Sequence, residues 1–213
     1  MALFALGLEA PFDKYIFCDM DEQCLEALQA RAEEFHSDKR TAFLNGDSNT
    51  LVQSIISEIP QYSKDHTVLS FCFVDPFNLG SLRFETIQAL ARTRLMDFLI
   101  LLPSSEANRN WEAGAHQIAD FLGRPDWAAE WDLQRAANPQ LSMREFFPRL
   151  YSQQMAGLGF KETRFEHMLQ VRNVEKNSPL YHLAIYSRHP LAQKFWKIAK
   201  DRANDQSSLF HEE

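Results

Sequence analysis

Apolar residues recur along this chain in two alternating rhythms. Short unbroken apolar runs, rich in β-branched and aromatic side chains and closed by polar or turn residues, read as buried strands. Four occur, at Tyr15–Cys18, Thr41–Leu44, Val68–Val74 and Met96–Leu102. Between them the apolar positions fall three and four apart. Leu25, Leu28, Ala32 and Phe35 share one face of a helix from Asp21 to about Phe35. Leu51, Ile55, Ile56 and Ile59 mark a shorter helix, and Phe84, Ile87, Leu90 and Ala91 a third. Near-continuous apolar strands that alternate with amphipathic helices predict an α/β fold, its mostly parallel sheet covered on both faces.

The rhythm changes after Leu102. Asn110 to about Leu122 reads as a helix through Trp111, Ala115, Ile118 and Leu122, and 123–140 as a turn-rich stretch. A further helical segment through Leu141, Phe146, Leu150 and Tyr151 reaches Met155, with Pro148 expected to interrupt or restart it. Together these form a helical insertion at about residues 104–156, which either carries specificity or covers the sheet. Arg164–Val171 and Leu180–Tyr186 read as a C-terminal antiparallel hairpin, Leu191–Lys200 as a closing amphipathic helix, and 201–213 as a polar tail.

Composition narrows the function classes. The chain has 213 residues, which supports one domain over 1–213, and 45% hydrophobic residues supply a sizeable core. Lys plus Arg number 22 against 29 Asp plus Glu, a net charge of −7, so nothing draws the chain generally to phosphate backbones or anionic lipid. Nucleic acid is expected only through a local patch, and Lys194, Lys197 and Lys200 read as a solvated helix face. Cys18, Cys24 and Cys72 are odd in number and lack CxxC spacing, which argues against a disulfide framework and a zinc site. Cys18 and Cys72, in apolar runs, read as core thiols. No run approaches the roughly 18–20 apolar residues of a membrane span, and Met1–Leu8 has no basic n-region, so a cytoplasmic location without membrane is expected. The histidines show no metal spacing, so no metal is expected, and His182, in a strand, reads as a hydrogen-bonded structural residue.

Ligands of open α/β sheets bind outside the carboxyl ends of the strands. Here those ends are acidic: Asp19-Met20-Asp21 after the first strand, Gly46-Asp47-Ser48-Asn49 after the second, Asp75-Pro76-Phe77-Asn78 after the third. A carboxylate at such an end accepts hydrogen bonds from ribose hydroxyls, and Asp47 is placed to meet an adenine amino group, with Gly46 permitting close approach. Each also has a capping alternative: Asp19 with Glu22 for one helix, Asp47 for the next. The Asp75-Pro76 step stops the ladder and turns the carboxylate outward, while Phe77 is available to stack on a planar group. Arg109, beyond the fourth strand, meets a substrate carboxylate or phosphate, or pairs with Glu106.

The order Phe17-Cys18-Asp19-Met20-Asp21, Asn45-Gly46-Asp47-Ser48-Asn49, Phe73-Val74-Asp75-Pro76-Phe77, Asp97-Phe98-Leu99-Ile100-Leu101-Leu102-Pro103 and Asn108-Arg109 resembles the three-Cys-motif partner protein family. So do Gly157-Leu158-Gly159-Phe160, Leu180-Tyr181-His182-Leu183 and Phe195-Trp196-Lys197 with Gln206-Ser207-Ser208-Leu209-Phe210. That family is similar to class I S-adenosylmethionine-dependent methyltransferases. The resemblance implies a Rossmann-like class I methyltransferase fold and S-adenosylmethionine as cofactor, held by Asp19, Met20, Asp47 and Ser48. It also implies Asp75 and Phe77 at the reaction, with Pro76, Asn108 and Arg109 toward the acceptor, and a partner carrying a three-cysteine, iron–sulfur-like motif. The alternative is a non-catalytic binding or scaffold module for that partner. The chain departs from the family at its start: it opens at Met1-Ala2-Leu3-Phe4-Ala5-Leu6-Gly7 without the family's first strand and Gly-rich loop. A chain beginning there is expected to bind the cofactor weakly or not at all. Unless its start is truncated, the strands ending at Asp19 and Asp75 are expected either to pair directly or to take a strand from a partner, since an unfilled gap would leave buried backbone groups unpaired.

Overall fold

The computed structural model describes residues 12–35, 40–92, 95–173 and 175–209. The opening at Met1–Gly7 and the end of the tail lie outside them. Among the described residues there are eight α-helices and two sheets, a mixed α/β architecture with parallel and antiparallel strands. The chain divides into two compact units, Met1–Val68 and Leu69–Glu213, taken here in turn.

The first unit is β1 (Lys14–Asp19), α1 (Glu22–Phe35), β2 (Arg40–Asn45) and α2 (Ser48–Glu58). β1 and β2 pair in parallel, with Lys14 opposite Arg40 and Asp19 opposite Asn45. Alternation along β1 sends Tyr15 and Phe17 to one face, where they join Phe43 of β2 and Ala32 of α1. The rings of Tyr15 and Phe17 stack at 6.2 Å, and those of Phe17 and Phe43 at 5.5 Å. Lys14 ties the start of β1 to the end of α2: its Nζ donates to the Glu58 carboxylate and carbonyl, each at 2.6 Å.

The second unit opens with β3 (Leu69–Val74), a 3-10 turn at Leu79–Ser81, α3 (Phe84–Arg92) and β4 (Leu95–Leu102). Four helices follow: α4 (Ser104–Asn110), α5 (Ala115–Leu122), α6 (Trp127–Ala137) and α7 (Met143–Gly157). A 3-10 turn at Phe165–His167 leads into β5 (Leu169–Arg172), β6 (Pro179–Tyr186) and α8 (Pro190–Leu209). The sheet order is β3-β4-β6-β5: β3 and β4 are parallel, and β6 runs antiparallel to both β4 and β5. Among the described residues β1 has one ladder neighbour, β2, and β3 has one, β4. The core is aromatic, with Phe98, Phe121, Phe146, Phe147, Trp131, Tyr151 and Tyr186 fully buried.

The early strands and helices lie where the apolar rhythm places them, within a residue or two at each end. The region after Leu102 is where the sequence reading needs correction. The helix expected from Asn110 starts later, at Ala115 (α5). A separate helix that was not expected, α4, ends at Asn110, and the turn between them has Gly114 N donating to Asn110 O at 2.7 Å. α4 buries Ser104, Ser105 and Ala107, small and polar residues that leave no apolar stripe to read. The stretch expected to be turn-rich contains α6, whose buried Trp127 and Trp131 stand one turn apart. Gly123, at φ +62°, closes α5; a Cβ there would lie 2.7 Å from Phe84 Cδ1. Pro148 neither ends nor restarts α7 but sits buried inside it, where it costs one helical hydrogen bond and fills core space. The first hairpin strand is shorter than expected, because Phe165–His167 forms a 3-10 turn. The final helix continues through Leu209 where a polar tail was expected; no Gly or Pro falls in 201–209 to stop it.

Candidate functional site

In a parallel pair, equivalent strand ends share an edge, so β1 and β2 deliver Asp19 and Asp47 to the same end of the first sheet. The loops after the two strands are tied together. Gly46 N donates to Asp19 O at 2.9 Å, and Asn45 Nδ2 donates to the carbonyls of Asp19 and Met20 at 3.3 and 3.4 Å. Gly46 has φ +139°, and a Cβ there would lie 2.9 Å from Leu51 Cδ1, so this crossing requires glycine. Cys18 reports the electrostatics: its Sγ donates to Gly46 O at 3.6 Å, and its pKa is raised, first by burial and then by the charges of Asp19 and Asp47.

The carboxylates also serve the backbone. Asp19, exposed, accepts from Asp21 N at 2.9 Å, and Asp21 accepts from Cys24 N at 3.0 Å at the start of α1. That backbone donor holds the Asp21 carboxyl below its usual range. The cap of α1 is therefore Asp21, not Asp19. Asp47 caps α2, its Oδ1 accepting from Asn49 N at 2.9 Å and Asn49 Nδ2 at 2.8 Å. Met20 is 71% exposed, while Asp47 and Ser48 are half-buried.

In the second unit the candidate residues stand at the carboxyl end of β3. Asp75 is exposed, yet enough protein surrounds it that lost hydration raises its carboxyl pKa above the usual value. Phe77 is 94% exposed. Asn78 fixes the turn beneath them: its Oδ1 accepts from Gly80 N and Ser81 Oγ, both at 2.9 Å. Glu106 of α4 secures the same turn by accepting from Leu79 N at 3.1 Å.

That bond settles one alternative, since Glu106 holds a backbone amide and no ion pair joins it to Arg109 among the described residues. Arg109 is exposed. Asn108 is instead turned to the fold, its Oδ1 accepting from Arg144 N at 3.2 Å in the first turn of α7. Tyr181, which the sequence reading missed, belongs to this edge: its pKa is raised by burial and by the Asp75 charge. A tyrosine in a strand carries no spacing signal that would have found it.

Beside it on β6, His182 lies 3% exposed, with Nδ1 2.7 Å from Ser104 Oγ, Nε2 3.4 Å from Gln170 Nε2, and its ring 4.8 Å from that of Phe165. Burial, followed by the Arg144 charge, lowers its pKa to about 4. It is a neutral, hydrogen-bonded structural histidine. The buried Nε of Arg144 and hydroxyl of Tyr151 have no partner among the described residues.

All three cysteines are free; Cys18 and Cys72 are half-buried and Cys24 is exposed. Burial pushes the Cys72 thiol up to about 12, so it stays protonated. Among the described residues no group of three or more His, Cys, Asp or Glu stands ready for a metal, and no helix is long and apolar enough to cross a membrane. Comparison with protein-family models, with curated proteins and with solved structures finds no match to this chain.

Proposed function

We propose that this chain is an S-adenosylmethionine-dependent methyltransferase-like protein that acts on an acceptor of unknown identity and works with a three-cysteine-motif, iron–sulfur-like partner in the cytoplasm. The observation that carries the reading is the pair of carboxylates at the carboxyl ends of two adjacent parallel strands, Asp19 after β1 and Asp47 after β2. On this reading Asp19, exposed and held by the Asp21 amide, accepts from the ribose hydroxyls. Met20 lies against the adenine, with Asp47 and Ser48 at its polar edge. The α2 N-terminus adds a favourable dipole for electron-rich groups. Asp75 and Phe77 serve the acceptor, with Pro76 shaping their turn and Arg109 available for an anionic acceptor group. Asn108 acts through the fold by holding Arg144 N. Methyl transfer from a sulfonium is an in-line displacement, so alignment and exclusion of water supply much of the acceleration.

The second reading, a non-catalytic binding module for the same partner, is favoured by the capping bonds of Asp47, which already engage its carboxylate. Calorimetric titration with S-adenosylmethionine, alone and with the three-cysteine partner, separates the two. Binding in either arm supports the cofactor site. Association with the partner and no cofactor binding in either arm supports the module.

A further inference from the structure

α8 has two unlike sides. On one, Trp196 is 7% exposed and its Nε1 donates to His167 O at 2.8 Å, while Gln193 Nε2 donates to Thr163 Oγ1 at 3.4 Å. These bonds dock the helix on its own unit. On the other side, Leu191, Phe195 and Ile198 are 46%, 66% and 51% exposed. Their spacing of four and then three places them within an arc of about 60° on a helix of 3.6 residues per turn. Among the described residues this short apolar stripe, at the spacing of coiled-coil core positions, lies largely open.

The charges beside the seam say what fits it. Lys194 and Asp201 are both exposed and seven residues apart, so they occupy the same position on the same flank. The opposite flank carries Ala192 and Ala199. Two such helices side by side in parallel would set each Lys194 against alanine. Laid antiparallel, like flanks meet, and Lys194 of each faces Asp201 of the other.

We propose that α8 is a self-association surface on which a second copy of this chain packs its own α8 antiparallel, across a two-fold axis near Phe195 and Ile198. The contact is isologous, and Phe195 of each copy meets Ile198 of the other. Three large apolar side chains per copy make a short seam, so the association is weak and concentration-dependent.

Sedimentation velocity on the full chain over a wide concentration range tests this. The expected result is a shift from monomer to dimer as concentration rises, abolished by Phe195→Glu. Because Phe195 is exposed, that variant keeps the fold, which circular dichroism of the same sample verifies. Asp201→Lys is expected to weaken the dimer at least several-fold, and adding Lys194→Asp to restore it. A chain that stays monomeric throughout, or a dimer that survives Phe195→Glu, would overturn the proposal. Charge exchange without effect would overturn the antiparallel arrangement, and Phe195-dependent binding to phosphatidylserine vesicles without dimerisation would assign the seam to a membrane surface instead.

Discussion

The two units solve the burial problem differently. The first has a two-stranded parallel sheet, a short stack of Tyr15, Phe17 and Phe43, and an α2 with no buried residue. The second closes a four-stranded sheet and its helices around fully buried rings, Phe121 lying 5.3 Å from Phe147 and 5.4 Å from Tyr151. Two-stranded sheets are marginal alone, so the first unit relies on local bonds: the Asp47 cap, the Lys14–Glu58 pair, the Gly46 crossing. The second relies on packing. Polar groups follow suit. Carboxylates stand at strand ends in both units, Asp19 and Asp47 in the first and Asp75 in the second, but in the second His182 and Ser104 are buried and bonded to each other.

Truncation in the aromatic core should have the largest effect. Phe121→Ala leaves a void among Phe147 and Tyr151 and is expected to cost about 3–5 kcal/mol in denaturant unfolding. Phe17→Ala, in the half-buried stack of the first unit, should cost distinctly less. Equal losses would erase the contrast between the units.

Protonation sharpens it next. His182 has a native pKa near 4, below the ordinary 6.5 of the unfolded chain. Between these values the unfolded state takes the proton first, so stability is fully present above pH 6.5 and falls as pH drops toward 4. The loss is expected to reach about 2–3 kcal/mol over that window, and His182→Asn should flatten it. A wild-type stability unchanged between pH 6.5 and 4 would contradict the buried neutral histidine.

The smallest effect concerns a cap. Asp47→Ala removes the acceptor for Asn49 N and should cost about 1 kcal/mol, read as earlier melting of the first unit. Asp47→Asn, which retains an acceptor, should restore most of it. A loss unaffected by Asn would mean that charge, not capping, is the residue's contribution.

Legibility in the sequence followed the same division. β1 to β4 and the first helices were readable because their apolar periodicity matches the element that forms, even in α2, which buries none of its residues. α4 was not, because Ser104 and Ser105 are buried through hydrogen bonds rather than hydrophobic contact. Pro148 misled because its local cost is offset by tertiary packing within α7, and α8 outran its apolar pattern because nothing in 201–209 breaks a helix. At the candidate site, the strand-end positions of Asp19, Asp47 and Asp75 were legible from residue order alone. The inward turn of Asn108, the engagement of Glu106 by Leu79 N and the nearness of Tyr181 to Asp75 depend on long-range packing that no local spacing encodes.

The most direct test of the account is calorimetric titration of S-adenosylmethionine into the chain and into its Asp19→Ala variant, each with and without the three-cysteine partner. The account predicts weak binding or none by the chain alone and saturable binding with the partner, which Asp19→Ala weakens by about 1–3 kcal/mol through loss of charge-assisted hydrogen bonds. Unchanged affinity in the variant, or no binding in either arm, would contradict a nucleoside site at the carboxyl ends of β1 and β2.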